Sequence, residues 1–314
     1  MKKKIVGISR SPRFSPNSVD RDEAIFATVV QLLREKGWEV DRVGEDEILD
    51  GRASAVRAQK PVLKSSIVLP AMDDCKAVLS MARDFSVLQG LAEKEKEGLV
   101  VLNSSRALLA GNRVDMARQF AAAGVPIPRT LGVYRLAAVA GKATMQWEAE
   151  AAPHPVFPLW LKRSGACAQS AADVCFVADE GALTAALSTY AERGIDEVLA
   201  CEHLQGDLVK FYGVEGTAFF HCYYPTADNA FSKFGLEKIN GAPSGYPLDV
   251  DALKHCADQA AALCGLTIYG GDAVVDAAGQ FRIIDFNDWP SYSRCCAAAA
   301  AAIVERLLLA VEPQ

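Results

Sequence analysis

Asp285-Phe286-Asn287, near the C-terminus, sets two oxygen-bearing side chains two residues apart. Alternate side chains of a strand share a face, so Asp285 and Asn287 point the same way. Ile268 to Asp276 and Phe281 to Asn287 read as the two strands of a hairpin, with Ala277-Ala278-Gly279-Gln280 as its turn. That register sets Asp272 opposite Asp285. Two carboxylates a few ångströms apart repel unless a cation intervenes. Three hard oxygen donors suit Mg²⁺, which keeps waters and takes its remaining ligands from phosphate. Two solvated acids at a sheet end are the plainer reading of the same residues.

Lys162 ends the apolar run Phe157-Pro158-Leu159-Trp160-Leu161. A lysine there either snorkels to water or holds a phosphate as a point charge. The small-residue loop Arg163-Ser164-Gly165-Ala166 follows it, with backbone N–H groups suited to wrap phosphates. Leu199-Ala200-Cys201-Glu202-His203-Leu204 is an apolar strand ending in Glu-His. Its backbone can read an adenine edge, and Glu202 can take a ribose hydroxyl or the adenine amine. His203 alone reads as a structural histidine. Leu208 to Val214 is expected to turn at Glu215-Gly216 into Thr217 to Tyr224, which sets Lys210 opposite His221 and Asp207 opposite Tyr224. Lys210 and Tyr212 share a face of that strand.

The elements that must position these residues follow from periodicity and punctuation. Lys3 to Ser9 is a strand, Asp20 to Lys36 a helix stopped by Gly37, and Trp38 to Val43 a strand. Together they make a βαβ unit. With short strands at Ala77 to Met81 and Leu99 to Leu102, the first hundred residues read as a small α/β domain with a largely parallel sheet. Arg113 to Ala123 is a helix, and Val125-Pro126-Ile127-Pro128 must be extended. Residues 141–155 read as a loop. Phe157 to Lys162, Ala172 to Val177 and Glu197 to His203 are strands, and Glu180 to Arg193, Asp249 to Cys264 and Arg294 to Val311 are helices. Ligands favour the carboxyl ends of parallel strands, which makes Arg10, Asn17 and Arg83 candidate substrate contacts.

Composition bounds the function. The 314 residues are 51% hydrophobic and 23% charged, enough for a large core. Lys plus Arg number 33 against 39 Asp plus Glu, a net −6 that suits no general nucleic-acid binder. Ile5 to Ile8 is too short for a signal-peptide core, and Glu305-Arg306 breaks the Ala297–Val304 run before it could span a membrane. Nine Cys without a CxxC read as reduced thiols in a cytoplasmic protein, and adjacent Cys295-Cys296 as packing.

The order of parts resembles the ATP-grasp superfamily, in particular RimK-like glutamate ligases and the inositol phosphate kinases of the same fold. The resemblance rests on Lys162, Glu202, Asp207, Lys210, Asp272 and Asp285-Phe286-Asn287 in that order. Upstream, Gly111-Asn112-Arg113-Val114-Asp115-Met116 and Ala123-Gly124-Val125-Pro126-Ile127-Pro128-Arg129-Thr130 are similar to the family's helix and linker. It implies an α/β (α+β) ATP-grasp fold, with a pre-ATP-grasp α/β domain at 1–104, a central lid subdomain at 105–198 and a C-terminal subdomain at 199–314. It implies that Arg113, Lys162 and Lys210 serve the nucleotide, with Ser164 to Ala168 as the lid. Glu202 and His203 would sit beside adenine and Asp207 on the ribose, while Asp272, Asp285 and Asn287 hold Mg²⁺ or Mn²⁺. Lys233, Lys238 and Asn240, in the loop 225–248, are then the candidates to face the transferring phosphate and the substrate, unless that loop is merely a solvated one.

The implied activity is an ATP- and Mg-dependent ligase. It joins the carboxylate of a small metabolite, amino acid or peptide to an amine or thiol through an acyl phosphate. A small-molecule kinase on the same fold and a non-catalytic nucleotide-binding protein are the alternatives. Related folds often pair, so a homodimer stays open. Three departures stand out: Asp285 where the family has Glu, Arg113 where it has Lys, and Asp288-Trp289-Pro290-Ser291-Tyr292-Ser293 in place of a Pro-Gly turn.

Overall fold

The computed structural model describes residues 3–15, 17–57, 69, 72, 74–139, 142–165, 171–226 and 239–312. Three sheets follow one another along the chain. The first is four parallel strands in the order β2-β1-β3-β4, with β1 Lys4–Ser9, β2 Glu39–Gly44, β3 Ala77–Ser80 and β4 Val100–Leu102. Ile5 to Ile8 are buried, as the uninterrupted apolar run of a central parallel strand requires. Helices α1 (Val19–Glu35), α2 (Glu45–Arg57) and α3 (Phe85–Lys96) connect these strands. Asp84 caps α3 by accepting from the Ser86 and Val87 N–H groups. The expected elements include neither α2 nor α3, although Asp84 as N-cap and Gly98 after the last turn are ordinary boundaries for α3.

Two short helices, α4 (Ser105–Ala110) and α5 (Arg113–Ala122), lead into a five-stranded sheet of order β6-β5-β9-β7-β8. Its strands are β5 Thr130–Val139, β6 Lys142–Ala149, β7 Leu159–Arg163, β8 Val174–Val177 and β9 Glu197–Glu202, with α6 (Glu180–Glu192) packed on it. The expected loop at 141–155 is therefore corrected: Lys142–Ala149 is an edge strand antiparallel to β5. An edge strand has one neighbour and exposes much of its surface, so its apolar signal is weak; here it rests on contacts such as Trp147 against Tyr134, 4.7 Å between ring centroids. Strand β9 straddles residues 198 and 199, where the sequence had set a subdomain seam.

The last sheet is β11-β10-β12-β13, all antiparallel: β10 Asp207–Val214, β11 Phe220–Tyr223, β12 Ile268–Val275 and β13 Phe281–Asp288. Helix α7 (Val250–Cys264) covers one face with Leu253, Ala257, Ala260 and Ala261, over Val209, Phe211, Ala273 and Phe286. Helix α8 (Cys296–Val311) turns back against α1 of the first domain.

The first hairpin departs from the expected register. Lys210 pairs with Tyr223, and His221 pairs with Tyr212. Thr217 is the cause. Its N–H and hydroxyl both donate to Val214 O, and its Oγ1 accepts from Phe219 N–H, so the turn consumes more chain than two residues. Among the described residues, no helix is long and apolar enough to cross a membrane.

Candidate active site

Period-two alternation gives the C-terminal sheet an apolar face under α7 and an opposite, partly polar face, on which Tyr212, Val214 and Ile268 are core against Trp289, Tyr292 and α8. Two rows cross the polar face from β13 to β11. One runs Asp285, Asp272, Lys210, Tyr223, and the other Asn287, Gly270, Tyr212, His221. Asp272 and Asp285 face each other as expected, but by a longer route. Near the turn the pairing runs Val275 to Phe281 and Ala273 to Ile283, one residue short of the expected register. A bulge at Ile284 restores it at Asp285. The bulge also frees the Ile284 carbonyl, which accepts from the buried Lys162 Nζ arriving from β7.

Arg113 joins the same spot from α5. Its Nη2 donates to Asp285 Oδ1 at 3.2 Å, and its Nη1 to Arg163 O at 3.2 Å. The Arg113 N–H donates to Ser164 O, and Asn112 forms a β-bridge with Gly165, which ties the loop after β7 to the start of α5. Asn287 Nδ2 donates to Asp285 Oδ2 at 2.8 Å, and Lys210 Nζ donates to Asp272 Oδ1 at 3.1 Å. Desolvation alone would raise the pKa of Asp285. The charges of Arg113 and Lys162 and the hydrogen bonds from Asn287 and Arg113 outweigh it and hold the carboxyl at about 2. A cavity of about 70 Å³ is lined by Arg113, Lys162 and Asp285 together with Met116, Phe120 and Phe286.

The remaining candidates make their contacts along the hinge between the two antiparallel sheets. Glu202 accepts from Arg129 N–H at 2.9 Å and Arg129 Nε at 2.8 Å. His203 Nδ1 accepts from Trp160 Nε1 at 3.1 Å, its ring meets Phe176 edge-on, and desolvation pulls its pKa down. Asp207 is buried, and its carboxylate accepts from the N–H groups of Ser244, Gly245 and Tyr246 at 2.7 to 2.9 Å. Asn240 Nδ2 donates to Leu204 O and Gly206 O. Asp207 and Asn240 are thus engaged with backbone. Lys233, Lys238 and most of the lid, 166–168, lie outside the described residues.

The first domain reaches the same region through two arginines. Arg10 donates to Asp22 Oδ2 at 3.1 Å, Met81 O at 3.4 Å and Trp289 O at 3.3 Å. Arg83 is ion-paired with buried Asp288, immediately after Asn287. Asn17 is exposed. Glu45, which sequence reasoning missed, is fully buried and accepts from the N–H groups of Ser11, Arg83 and Asp84, so it clamps the loops after β1 and β3 together. No local pattern marks it, because its partners lie more than thirty residues away. Trp289 and Tyr292 hold positive φ of 41° and 46°, a conformation L-residues rarely take outside constrained sites. Both are buried, and Tyr292 Oη donates to Gly213 O at 3.1 Å.

Among the described residues, no three His, Cys, Asp or Glu side chains form a metal cluster. Two opposed carboxylates beside an Asn are a thin oxygen set. That set fits Mg²⁺, which takes one or two carboxylates and completes its shell with water and nucleotide phosphate.

No family model matches this sequence, and no curated protein matches it. Solved structures do. The chain is similar to a RimK-domain ATP-grasp protein from Sphaerobacter thermophilus DSM 20745, with TM-score 0.58 and 17% identity over 97% of this chain and 99% of that one. It is also similar to D-alanine–D-alanine ligase from Bacillus anthracis, solved with ATP, with TM-score 0.60 and 13% identity over 98% of this chain and 96% of that one. At such identities the likeness is one of architecture, and it spans all three sheets: the chain has the ATP-grasp fold.

Proposed function

We propose that this chain is an ATP-dependent ligase that joins a small-molecule or peptide carboxylate to an amine or thiol. The observation that carries the reading is the facing pair Asp272 and Asp285, met across the cleft by Lys162 and Arg113. Opposed acids beside converging cations are what a metal–triphosphate needs, negative charge for the metal and positive charge for phosphate oxygens. The D-alanine–D-alanine ligase of the same fold, solved with ATP, supports the choice of nucleotide.

Asp272, Asp285 and Asn287 would hold Mg²⁺ or Mn²⁺, which when bound supplies Lewis-acid neutralisation of phosphate charge. Lys162 and Arg113 hold the phosphates, and each must give up its present partner, Ile284 O or Asp285, to do so. Arg113 is planar and forked, so it can grip two phosphate oxygens at once. Lys210 keeps Asp272 oriented. Glu202 and Arg129 form one rim of the nucleotide cleft, with His203 held neutral behind them. Asp207 and Asn240 shape the hinge rather than touch ribose.

The overall step converts ATP, a carboxylate and an amine or thiol into ADP, inorganic phosphate and an amide or thioester. The test incubates the full chain with ATP, Mg²⁺ and panels of amino acids, short peptides and carboxylate metabolites, followed by product mass. The expected result is phosphate release matched by a condensed product. A phosphorylated metabolite without phosphate release would make the chain a kinase, and absence of ATP binding would overturn both readings.

A further inference from the structure

We infer that Arg294, seated on Tyr223 at the outer end of the carboxylate row, binds an anionic group of the acceptor substrate. The inference rests on the ligase reading for which end of the face holds the reacting group. Asp285, Asp272, Lys210 and Tyr223 occupy four neighbouring strands on one face. Neighbouring strands lie about 4.8 Å apart, which puts Tyr223 about 10 Å from Asp272 and about 14 Å from Asp285.

The Arg294 guanidinium lies over the Tyr223 ring at 4.4 Å. A ring face orients a guanidinium but leaves its charge and its forked donors unspent. The other cations of the region each hold an acceptor: Arg113 with Asp285, Lys210 with Asp272, Arg83 with Asp288 and Arg10 with Asp22. Arg294 is exposed, and among the described residues it has no carboxylate partner. Its surroundings also favour an anion. Helix α8 opens two residues later with no acid in its first turn and no side-chain cap at Cys295. His221, stacked on Tyr212 on the neighbouring row, has its pKa lowered by desolvation and by the Arg294 charge, so the positive charge of this end rests on Arg294.

The polar face thus has a chemical end at the carboxylate pair and a cationic, aromatic-walled end about two strands away. It suits an acceptor whose reacting group and anionic group are separated by several bonds. A dicarboxylate, an amino acid derivative or a phosphorylated metabolite meets that requirement, whereas a lone small acid such as acetate cannot occupy both ends.

The test titrates the full chain calorimetrically with inorganic phosphate and, separately, with glutarate, each with and without a non-hydrolysable ATP analogue and Mg²⁺. At least one anion is expected to bind the wild type at a single site, and the preferred anion identifies a phosphate or a carboxylate as the recognised group. Arg294→Ala should weaken that binding at least tenfold. Arg294→Lys, which keeps the charge but not the fork, should fall between, and nucleotide affinity should stay within about twofold in both. Neither anion binding the wild type, or undiminished binding to Arg294→Ala, would overturn the inference. Loss of nucleotide binding in the wild type would instead defeat the ligase reading, and the nucleotide-free titration would still decide the role of Arg294.

Discussion

Asp272 and Asp285 stand directly opposite one another across β12 and β13, and each carries a cation delivered from elsewhere. Lys210 reaches Asp272 at 3.1 Å from the neighbouring strand, and Arg113 reaches Asp285 at 3.2 Å from a helix of the preceding subdomain. The repulsion of the paired acids is thereby offset before any nucleotide binds. On the proposed function, a bound metal–nucleotide would exchange charge partners here: Arg113 and Lys162 would turn to phosphate and the carboxylates to the metal, while Lys210 would keep its hold on Asp272.

Asp207→Ala should destabilise the fold. The buried carboxylate accepts three backbone N–H groups from 244–246, and its removal leaves them without their acceptor. The donors lie on exposed Ser244 and Gly245 and half-buried Tyr246, where water can partly replace the carboxylate, so the loss expected in urea denaturation is that of one or two charged hydrogen bonds, about 2–3 kcal/mol. Asp207→Asn, which keeps one acceptor oxygen, should lose less. A tenfold weaker nucleotide affinity with unchanged stability would instead make Asp207 a ribose contact.

Arg83→Ala removes the partner of Asp288, whose side chain is 5% exposed. A buried charge left unpaired costs about 3–5 kcal/mol, and chemical denaturation should show a loss of that order. Adding Asp288→Asn to that variant should recover part of it. A change below about 0.5 kcal/mol would mean that the first domain does not brace the segment after Asn287 through this pair.

Cys295 should resist alkylation in the folded chain. Desolvation, and then the neighbouring charge of Cys296, pushes its thiol up to about 12. A raised thiol pKa favours the neutral form, so at pH 8 only about one part in ten thousand is thiolate, the species that reacts. Iodoacetamide labelling read by mass spectrometry should modify Cys295 slowly at pH 8, and at an ordinary rate once urea unfolds the chain. Rapid labelling of the folded chain would contradict this burial.

Much of the candidate site was legible in the sequence because its residues fall on strands with regular alternation. The facing of Asp272 and Asp285 was read from a hairpin turn, yet it holds through two offsetting irregularities, a tighter turn and the Ile284 bulge. The tighter turn is set locally, by Asp276 Oδ1 accepting from Ala278 and Gln280 N–H and by Gly279 at φ 78°, whereas the bulge has no local signature and supplies the carbonyl that Lys162 holds. The β10–β11 register was misread because a single threonine hydroxyl lengthened the turn, and this hid the placement of Tyr223 beside Lys210. Glu45, Arg129 and the Arg83–Asp288 pair escaped notice because each works with residues far along the chain, a relationship only tertiary packing creates. Strand β6 was missed because an edge strand needs few apolar residues.

The central claim is that Asp285 holds a metal which carries the nucleotide. Because Arg113, Lys162 and Asn287 keep this carboxyl near 2, it is ionised in any assay above about pH 4, and Asp285→Asn removes a full charge. Calorimetric titration with ATP, in the presence and absence of Mg²⁺, should show metal-dependent binding to the wild type. In Asp285→Asn, affinity should be at least tenfold weaker and its dependence on Mg²⁺ should be lost. Equal affinity and equal metal dependence in the two proteins would contradict the assignment.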